Sequence, residues 1–310
     1  MEYHQSSKKI LGLNLNMTPK QKEKILKAGE IGKKVKEYAK SIVKKDMPLL
    51  ELAEKIESEI IKLGGKPAFP TNLSINEIAA HYTPSHNDET KAEGLLKVDI
   101  GVHIDGWIAD FAFSVDLENN SENKKLIEAS KEALKKGIEK IKEKKSLGEI
   151  GKAIQNTIES YEFSPIINLT GHEMNEYELH SGLTIMNIES KDSTKLEQGV
   201  YAIEPFATNG IGKIYEGKLS GIYQLINDKN VRSNEAREIL NFIIEEYKTL
   251  PFCSRWIIKK FGIKSLFALK QLETNGNLHQ YPQLIESSKG KVSQAENTVL
   301  VSNEIIVTSD

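Results

Sequence analysis

The chain has 310 residues, 39% of them hydrophobic and 28% charged, with a formal net charge of −2, which excludes a disordered or fibrous protein. Arginine occurs only at Arg232, Arg237 and Arg255, so a specific nucleic-acid partner is not expected. The single cysteine, Cys253, excludes an internal disulfide, and no stretch has the pattern of a signal peptide or of a membrane span of about 20 apolar residues, so we expect a cytoplasmic protein without a membrane partner.

Two amphipathic helices are predicted near the start of the chain. Thr18 and Gln21 have the spacing of a capping box, and the proline between them suits the first helical position, which predicts a long helix to about residue 43. A second helix over residues 49–63 is predicted to end at Gly64, because glycine readily adopts the left-handed turn that terminates helices.

Helical and β-type segments then alternate along the chain. Ser146 and Glu149 form a second capping-box pattern, which places a helix start inside a helical stretch. The helical stretches are residues 121–160 and 233–274, the latter interrupted at Pro251, and the β-type stretches are residues 67–115, 166–225, 295–301 and 304–307. This interleaving predicts an α+β fold.

We expect a single catalytic domain, residues 18–310, after a polar N-terminal tail of residues 1–17. The β-type sequence resumes after the second helical stretch. Residues 223–277 are therefore predicted to be a helical insertion within the domain rather than a separate tail.

The sharpest local signal is a predicted β-hairpin that carries two aspartates. Asp105-Gly106 is a preferred two-residue hairpin turn, and it sets a pairing register in which Asp99 lies opposite Ala112. Asp110, two residues from Ala112, then shares a face with Asp99. Such diagonal neighbours lie roughly 7–8 Å apart at Cα, which suits one metal ion or two ions that share a ligand.

Either aspartate alone would be expected to face solvent, as most aspartates do. Both strands are strongly apolar, however, and an unpaired buried aspartate costs several kcal/mol, which a cation would offset. Three further polar residues, His172, Glu204 and Glu296, interrupt or border apolar β-type runs. Individually each could be a hydrogen-bonded core residue or a solvated edge residue. Together the four carboxylates and one imidazole suit Mn, Fe(II) or Co, and zinc remains an alternative.

With these residues in place, the sequence resembles the type 2 methionine aminopeptidases, and the archaeal members most closely. The resemblance runs from about Thr18 to the C-terminus. The matching segments are residues 68–84, 99–110, 168–172, 179–180 and 203–205 and the strand that contains Glu296. It implies the pita-bread fold, with the helical insertion typical of type 2 enzymes.

The resemblance also implies roles for ten residues. The metal ligands would be Asp99, Asp110, His172, Glu204 and Glu296, with Asp110 and Glu296 bridging two divalent ions. The catalytic residues would be His81, His180 and Glu204, and the two histidines would also contact substrate. Phe69, Leu179 and Tyr281 would line the methionine side-chain pocket, although each is equally plausible as ordinary core. The implied reaction is hydrolytic removal of N-terminal methionine before a small second residue by metal-activated water.

Two competing hypotheses stay open at this stage. One is a proline dipeptidase or creatinase-type hydrolase, which shares the fold and the ligand set but carries a large additional N-terminal domain. The other is a binding protein of the same fold without catalysis, which should show altered ligand residues. For the enzyme we expect nascent polypeptides as partners and a monomeric state, with transient ribosome association left open.

Overall fold

The computed structural model describes residues 17–309, so the predicted tail lies outside the described residues except for Met17. The helices are α1 Pro19–Ile42, α2 Leu49–Lys62, α3 Ser121–Lys142, α4 Leu147–Ser160, α5 Asn234–Glu246, α6 Ser254–Phe261 and α7 Ser265–Thr274. The strands are β1 Lys66–Pro67, β2 Asn72–Ile75, β3 Ile78–Ala80, β4 Leu95–Ile104, β5 Trp107–Asp116, β6 Ser164–Pro165, β7 Thr170–Met174, β8 Thr184–Met186, β9 Gly199–Ile203, β10 Phe206–Thr208, β11 Ile214–Leu225, β12 Phe252–Cys253, β13 Leu278–Glu286, β14 Val292–Gln294, β15 Asn297–Val301 and β16 Ile305–Val307.

The predicted helix starts are confirmed in atomic detail. The Thr18 hydroxyl accepts a hydrogen bond from the Gln21 backbone N–H, and the Gln21 side chain accepts one from the Thr18 backbone N–H. Ser146 and Glu149 form the same reciprocal pair at α4. The apolar faces of α1 and α2 pack against β4 and β5, and α3 and α4 cover a second core beneath β9 and β15.

The predicted hairpin is also confirmed, including its register. Asp99 pairs with Ala112, and the strands β4 and β5 turn at Asp105 and Gly106, which have φ angles of 46° and 88°. A turn with two positive φ angles matches the twist of the flanking strands, which explains the preference for glycine at its second position.

The other strands extend this hairpin into a set of linked sheets. One sheet has the order β16-β15-β9-β7-β8, and smaller sheets have the orders β14-β10-β6 and β12-β11-β13-β3. An isolated antiparallel bridge between Ala112 and Glu296 connects β5 to the chain between β14 and β15. Asp99, Ala112 and Glu296 are therefore aligned across neighbouring chain segments.

Two details of the predicted β structure are corrected. The strand predicted over residues 295–301 begins two residues later, as β15 at Asn297, because Ala295 and Glu296 lie where the chain passes from β14, which pairs with β10, to β15, which pairs with β9. The strand β13 was not predicted separately, and it pairs with β11 to form the base from which α5, α6 and α7 project. No helix within residues 17–309 is long and apolar enough to cross a membrane.

Candidate metal centre

The structure brings all ten predicted site residues to the walls of one cavity of about 340 Å³, a volume typical of small-molecule sites. The ten are Phe69, His81, Asp99, Asp110, His172, Leu179, His180, Glu204, Tyr281 and Glu296. They come from chain segments that are far apart in sequence, so the fold itself assembles the cavity.

Five of these residues form an acidic cluster with one imidazole at its centre. The Nε2 atom of His172, on β7, lies 3.7 Å from Asp110 Oδ2 and 3.6 Å from Glu204 Oε1. Asp110, His172 and Glu296 each offer one ligand atom, and these atoms all lie within 4.8 Å of one another. Asp99 adjoins them through the hairpin register described above.

The cluster fits a divalent cation because its charges are not otherwise compensated. The Oδ1 atoms of Asp99 and Asp110 are buried and have no hydrogen-bond partner within the described residues. Burial raises the pKa of Asp99 to about 7, and burial followed by repulsion from neighbouring carboxylates raises the pKa of Asp110, Glu204 and Glu296 well above the ordinary range. Without a cation, the fold can hold these groups only by retaining protons.

The stability of the metal-free protein is therefore expected to fall as the pH rises above about 6.5, the pKa of unfolded histidine. The carboxyl pKa values are higher in the folded than in the unfolded chain, so the stability that they contribute is present at low pH and is lost as the pH rises through the folded-state pKa. His81 and His172 act in the opposite direction, because burial lowers the pKa of each to about 4. Their contribution is confined to pH values below about 6.5, where unfolded histidine is protonated.

Thermal unfolding of chelator-treated protein across this pH range measures the effect. Each proton that the folded chain holds and the unfolded chain lacks changes the free energy of unfolding by about 1.4 kcal/mol per pH unit. The same series with saturating Mn²⁺ is the control, because a bound cation replaces those protons and flattens the curve. Metal-free protein whose stability is constant or rises with pH would contradict the raised carboxyl pKa values.

Two further histidines adjoin the cluster. His81 has a φ of 63°, unusual for a residue with a side chain, and its Nδ1 lies 3.1 Å from the Pro282 carbonyl oxygen. Because that carbonyl can only accept, the Nδ1 of neutral His81 carries the proton and Nε2 is an acceptor. The ring of His180 lies 4.4 Å from that of His172. The His180 side chain is open to the cavity solvent, yet the surrounding protein lowers its pKa by desolvation, and His172 and His81 lower it further.

The residues predicted for the side-chain pocket form the apolar part of the cavity wall. Phe69 and Leu179 are buried, and Tyr281 is half-buried with its ring 5.4 Å from that of His81. Phe69 lies over Gly101, where a Cβ atom would collide with the ring. The glycine therefore lets Phe69 lie flat against β4.

Two polar residues beside the acidic cluster, Asn72 and Gln294, were not selected by the sequence analysis. Asn72 lines the cavity, pairs with Asp99 in the β2–β4 register, and has a buried Oδ1 without a partner among the described residues. The buried Gln294 amide approaches both Glu204 and Glu296. The available sequence signal for Gln294 was its spacing of two from Glu296, which places both side chains on one face of an extended segment.

Comparison with known proteins agrees with this site. Residues 23–303 match the sequence model of metallopeptidase family M24. A methionine aminopeptidase from Pyrococcus abyssi is 47% identical over 294 residues, which cover 93% of this chain and 99% of that protein. The solved methionine aminopeptidase of Rickettsia prowazekii superimposes with a TM-score of 0.68 at 20% identity, covering 94% of this chain and 98% of that one.

A prolidase structure from Pyrococcus furiosus has the same fold, with a TM-score of 0.61 at 18% identity, over 98% of this chain and 67% of the prolidase. The fold and the acidic cluster thus define the class of M24 metallopeptidases with a pita-bread fold, which confirms the predicted fold class. Given the extent of its similarity to the Pyrococcus protein, the chain belongs to the methionine aminopeptidases of this family.

Proposed function

We propose that the protein removes the N-terminal methionine from nascent polypeptides and peptides by metal-dependent hydrolysis. The observation that carries this proposal is the convergence of Asp99, Asp110, His172, Glu204 and Glu296 on one cavity in a chain of this family. Divalent metal use follows from the family and from the cluster. We further propose that Asp99, Asp110, His172, Glu204 and Glu296 would hold two divalent ions, which could be Mn, Fe(II), Co or Zn.

The chemistry that such ions supply is a water whose pKa is lowered to about 7, so that a nucleophile forms at neutral pH. The protein residues then manage protons and orientation. The Glu204 carboxylate accepts the proton of the attacking water and returns it to the leaving amine. Neutral His180 stabilises the oxyanion of the tetrahedral intermediate by donating a hydrogen bond. His81, whose Nε2 is an acceptor, orients the substrate.

Specificity for methionine would come from the apolar wall of Phe69, Leu179 and Tyr281. A wall of this kind accepts a long unbranched side chain, and crowding beyond it favours a small second residue.

We propose that the enzyme acts as a monomer in the cytoplasm, where transient ribosome contact would bring it to nascent chains. We also propose residues 18–310 as one catalytic domain in which the insertion, residues 223–277, forms part of the cavity wall through Pro251.

Release of methionine from a Met-Ala-Ser peptide is expected to depend on added metal. Chelator-treated protein should be inactive, and Mn²⁺ or Co²⁺ should restore release, because the cluster alone offers no nucleophile. An Xaa-Pro dipeptide is the matched substrate control. Cleavage of that control alone would favour the proline peptidase hypothesis, whereas inactivity on both substrates, with metal bound, would favour a binding protein.

A further inference from the structure

Gln294 is the last residue of β14, and its side-chain amide lies next to two carboxylates of the acidic cluster. The residue is 1% exposed. Its Nε2 lies 3.3 Å from Glu296 Oε2 and 3.5 Å from Glu204 Oε2. A primary amide nitrogen carries two N–H groups, so this nitrogen can donate one hydrogen bond to each carboxylate.

These contacts distinguish the two oxygens of Glu204. The amide faces Oε2, while Oε1 lies 3.6 Å from His172 Nε2, on the side of the cluster where Asp110 also approaches that nitrogen. Gln294 therefore restrains the rotation of the Glu204 carboxylate and keeps its Oε1 directed at the imidazole. The same donor restrains Glu296, and a hydrogen bond from Gln294 to Asp99 partly offsets the rise that burial causes in the pKa of Asp99.

The main chain of Gln294 is itself held by a second buried residue. Ser114, on β5, accepts a hydrogen bond from the Gln294 backbone N–H at 2.8 Å and donates its hydroxyl to the Gln294 carbonyl oxygen at 2.8 Å. Gln294 also pairs with Phe206 in the β10–β14 register. Because β14 is only three residues long, this double contact with Ser114 fixes the position of the Gln294 main chain, from which the side-chain amide extends.

We propose that Gln294 is a positioning residue of the metal centre, which orients Glu204 and Glu296 for metal binding, and that Ser114 acts through it. The inference rests on the proposed function, because it concerns the same cluster. Neither residue touches substrate in this role. Hydrogen-bonding partners behind metal ligands typically change metal affinity or activity by about 10- to 100-fold when they are removed.

The test is Mn²⁺ binding to chelator-treated protein, measured by calorimetry for wild type and Gln294→Met. The methionine side chain has a similar length but no donor, so we expect about 10- to 100-fold weaker Mn²⁺ binding and an altered Co²⁺ visible absorption spectrum. Ser293→Ala is the matched control, since the Ser293 hydroxyl points away to the Leu126 carbonyl and its loss should leave Mn²⁺ affinity unchanged. Wild-type affinity in Gln294→Met would overturn the proposal.

A second variant keeps the proposal testable if Gln294→Met fails to fold. Ser114→Ala should weaken Mn²⁺ binding relative to Ser293→Ala, and equal affinities of these two serine variants would overturn the proposal. In a double-mutant cycle, Ser114→Ala should have little further effect once Gln294 is replaced, because coupled residues are non-additive. Failure of wild type to bind Mn²⁺ would instead contradict the proposed function, so the two failures are distinguishable.

Discussion

Glu204→Gln is expected to lower methionine release from Met-Ala-Ser by about 10²- to 10⁴-fold, the range associated with losing a general base. Glutamine keeps the shape of the side chain but cannot accept the proton of the attacking water, and it is a poorer metal ligand. The fold should be preserved, because the substitution removes one of four buried, mutually repelling carboxyl groups. Metal-free Glu204→Gln should therefore unfold at the same temperature as metal-free wild type or at a higher one at about pH 8.

Activity, metal content and thermal unfolding should be measured together on this variant. Glu178→Gln is the matched control, because it changes an exposed glutamate next to Leu179 and should leave turnover unaffected. Full activity of Glu204→Gln at saturating metal would refute the assignment of the general base. A variant that is inactive but also unfolded would refute the expectation that the fold is preserved.

Arg255→Met is expected to destabilise the protein by about 3–5 kcal/mol, because it leaves a buried carboxylate without its partner. Two guanidinium nitrogens of Arg255, on α6, each lie 2.8 Å from an oxygen of Glu57, on α2, and both side chains are almost fully buried. Glu57 also accepts a hydrogen bond from the Trp256 indole, and Arg255 donates to the Pro84 carbonyl oxygen. This cluster joins the helical insertion to the N-terminal helices.

Urea unfolding measures the free energy of unfolding for this variant. Lys66→Met is the control, because the Lys66–Glu246 pair also connects the insertion to the N-terminal part but is largely exposed, and its loss should cost at most about 1 kcal/mol. The double variant Glu57→Leu/Arg255→Met should recover much of the lost stability, since no buried charge is left unpaired. Equal losses of unfolding free energy in Arg255→Met and Lys66→Met would contradict the expectation that breaking the buried ion pair costs more than breaking the exposed one.

The local features of this fold could be read from the sequence because short-range rules specify them. The capping boxes at Thr18 and Ser146 and the hairpin at Asp105 depend on contacts within a few residues, and all three are confirmed. The hairpin register even placed Asp99 and Asp110 on one face. The five candidate ligands could be selected as isolated polar residues in or beside apolar runs. Their roles, and the other five cavity residues, came from family resemblance, because no local pattern shows that residues on different strands converge.

Other features depend on long-range pairing and could not be predicted locally. Ala295 and Glu296 lie outside both strands because β14 and β15 belong to different sheets, and no pattern in the adjoining sequence marks this change of sheet. The left-handed backbone of His81 and the buried partnership of Glu57 with Arg255 likewise depend on distant segments. Gln294 was overlooked because its spacing of two from Glu296 is the one sequence signal of a single glutamine at the end of a short strand.

The acidic cluster draws its side chains from chain segments spread between Asp99 and Glu296, so a bound cation would couple the motions of those segments. Local opening of β4, β5 or β7, which carry Asp99, Asp110 and His172, or of β15, which begins next to Glu296, would separate at least one side chain from the others. A cation that binds only the assembled cluster must therefore suppress the opening of all four strands at once, by an amount that grows with its concentration. Metal binding would thus make distant parts of the sheets open as a single cooperative unit, linking the dynamics of the first hairpin to those of the final strands.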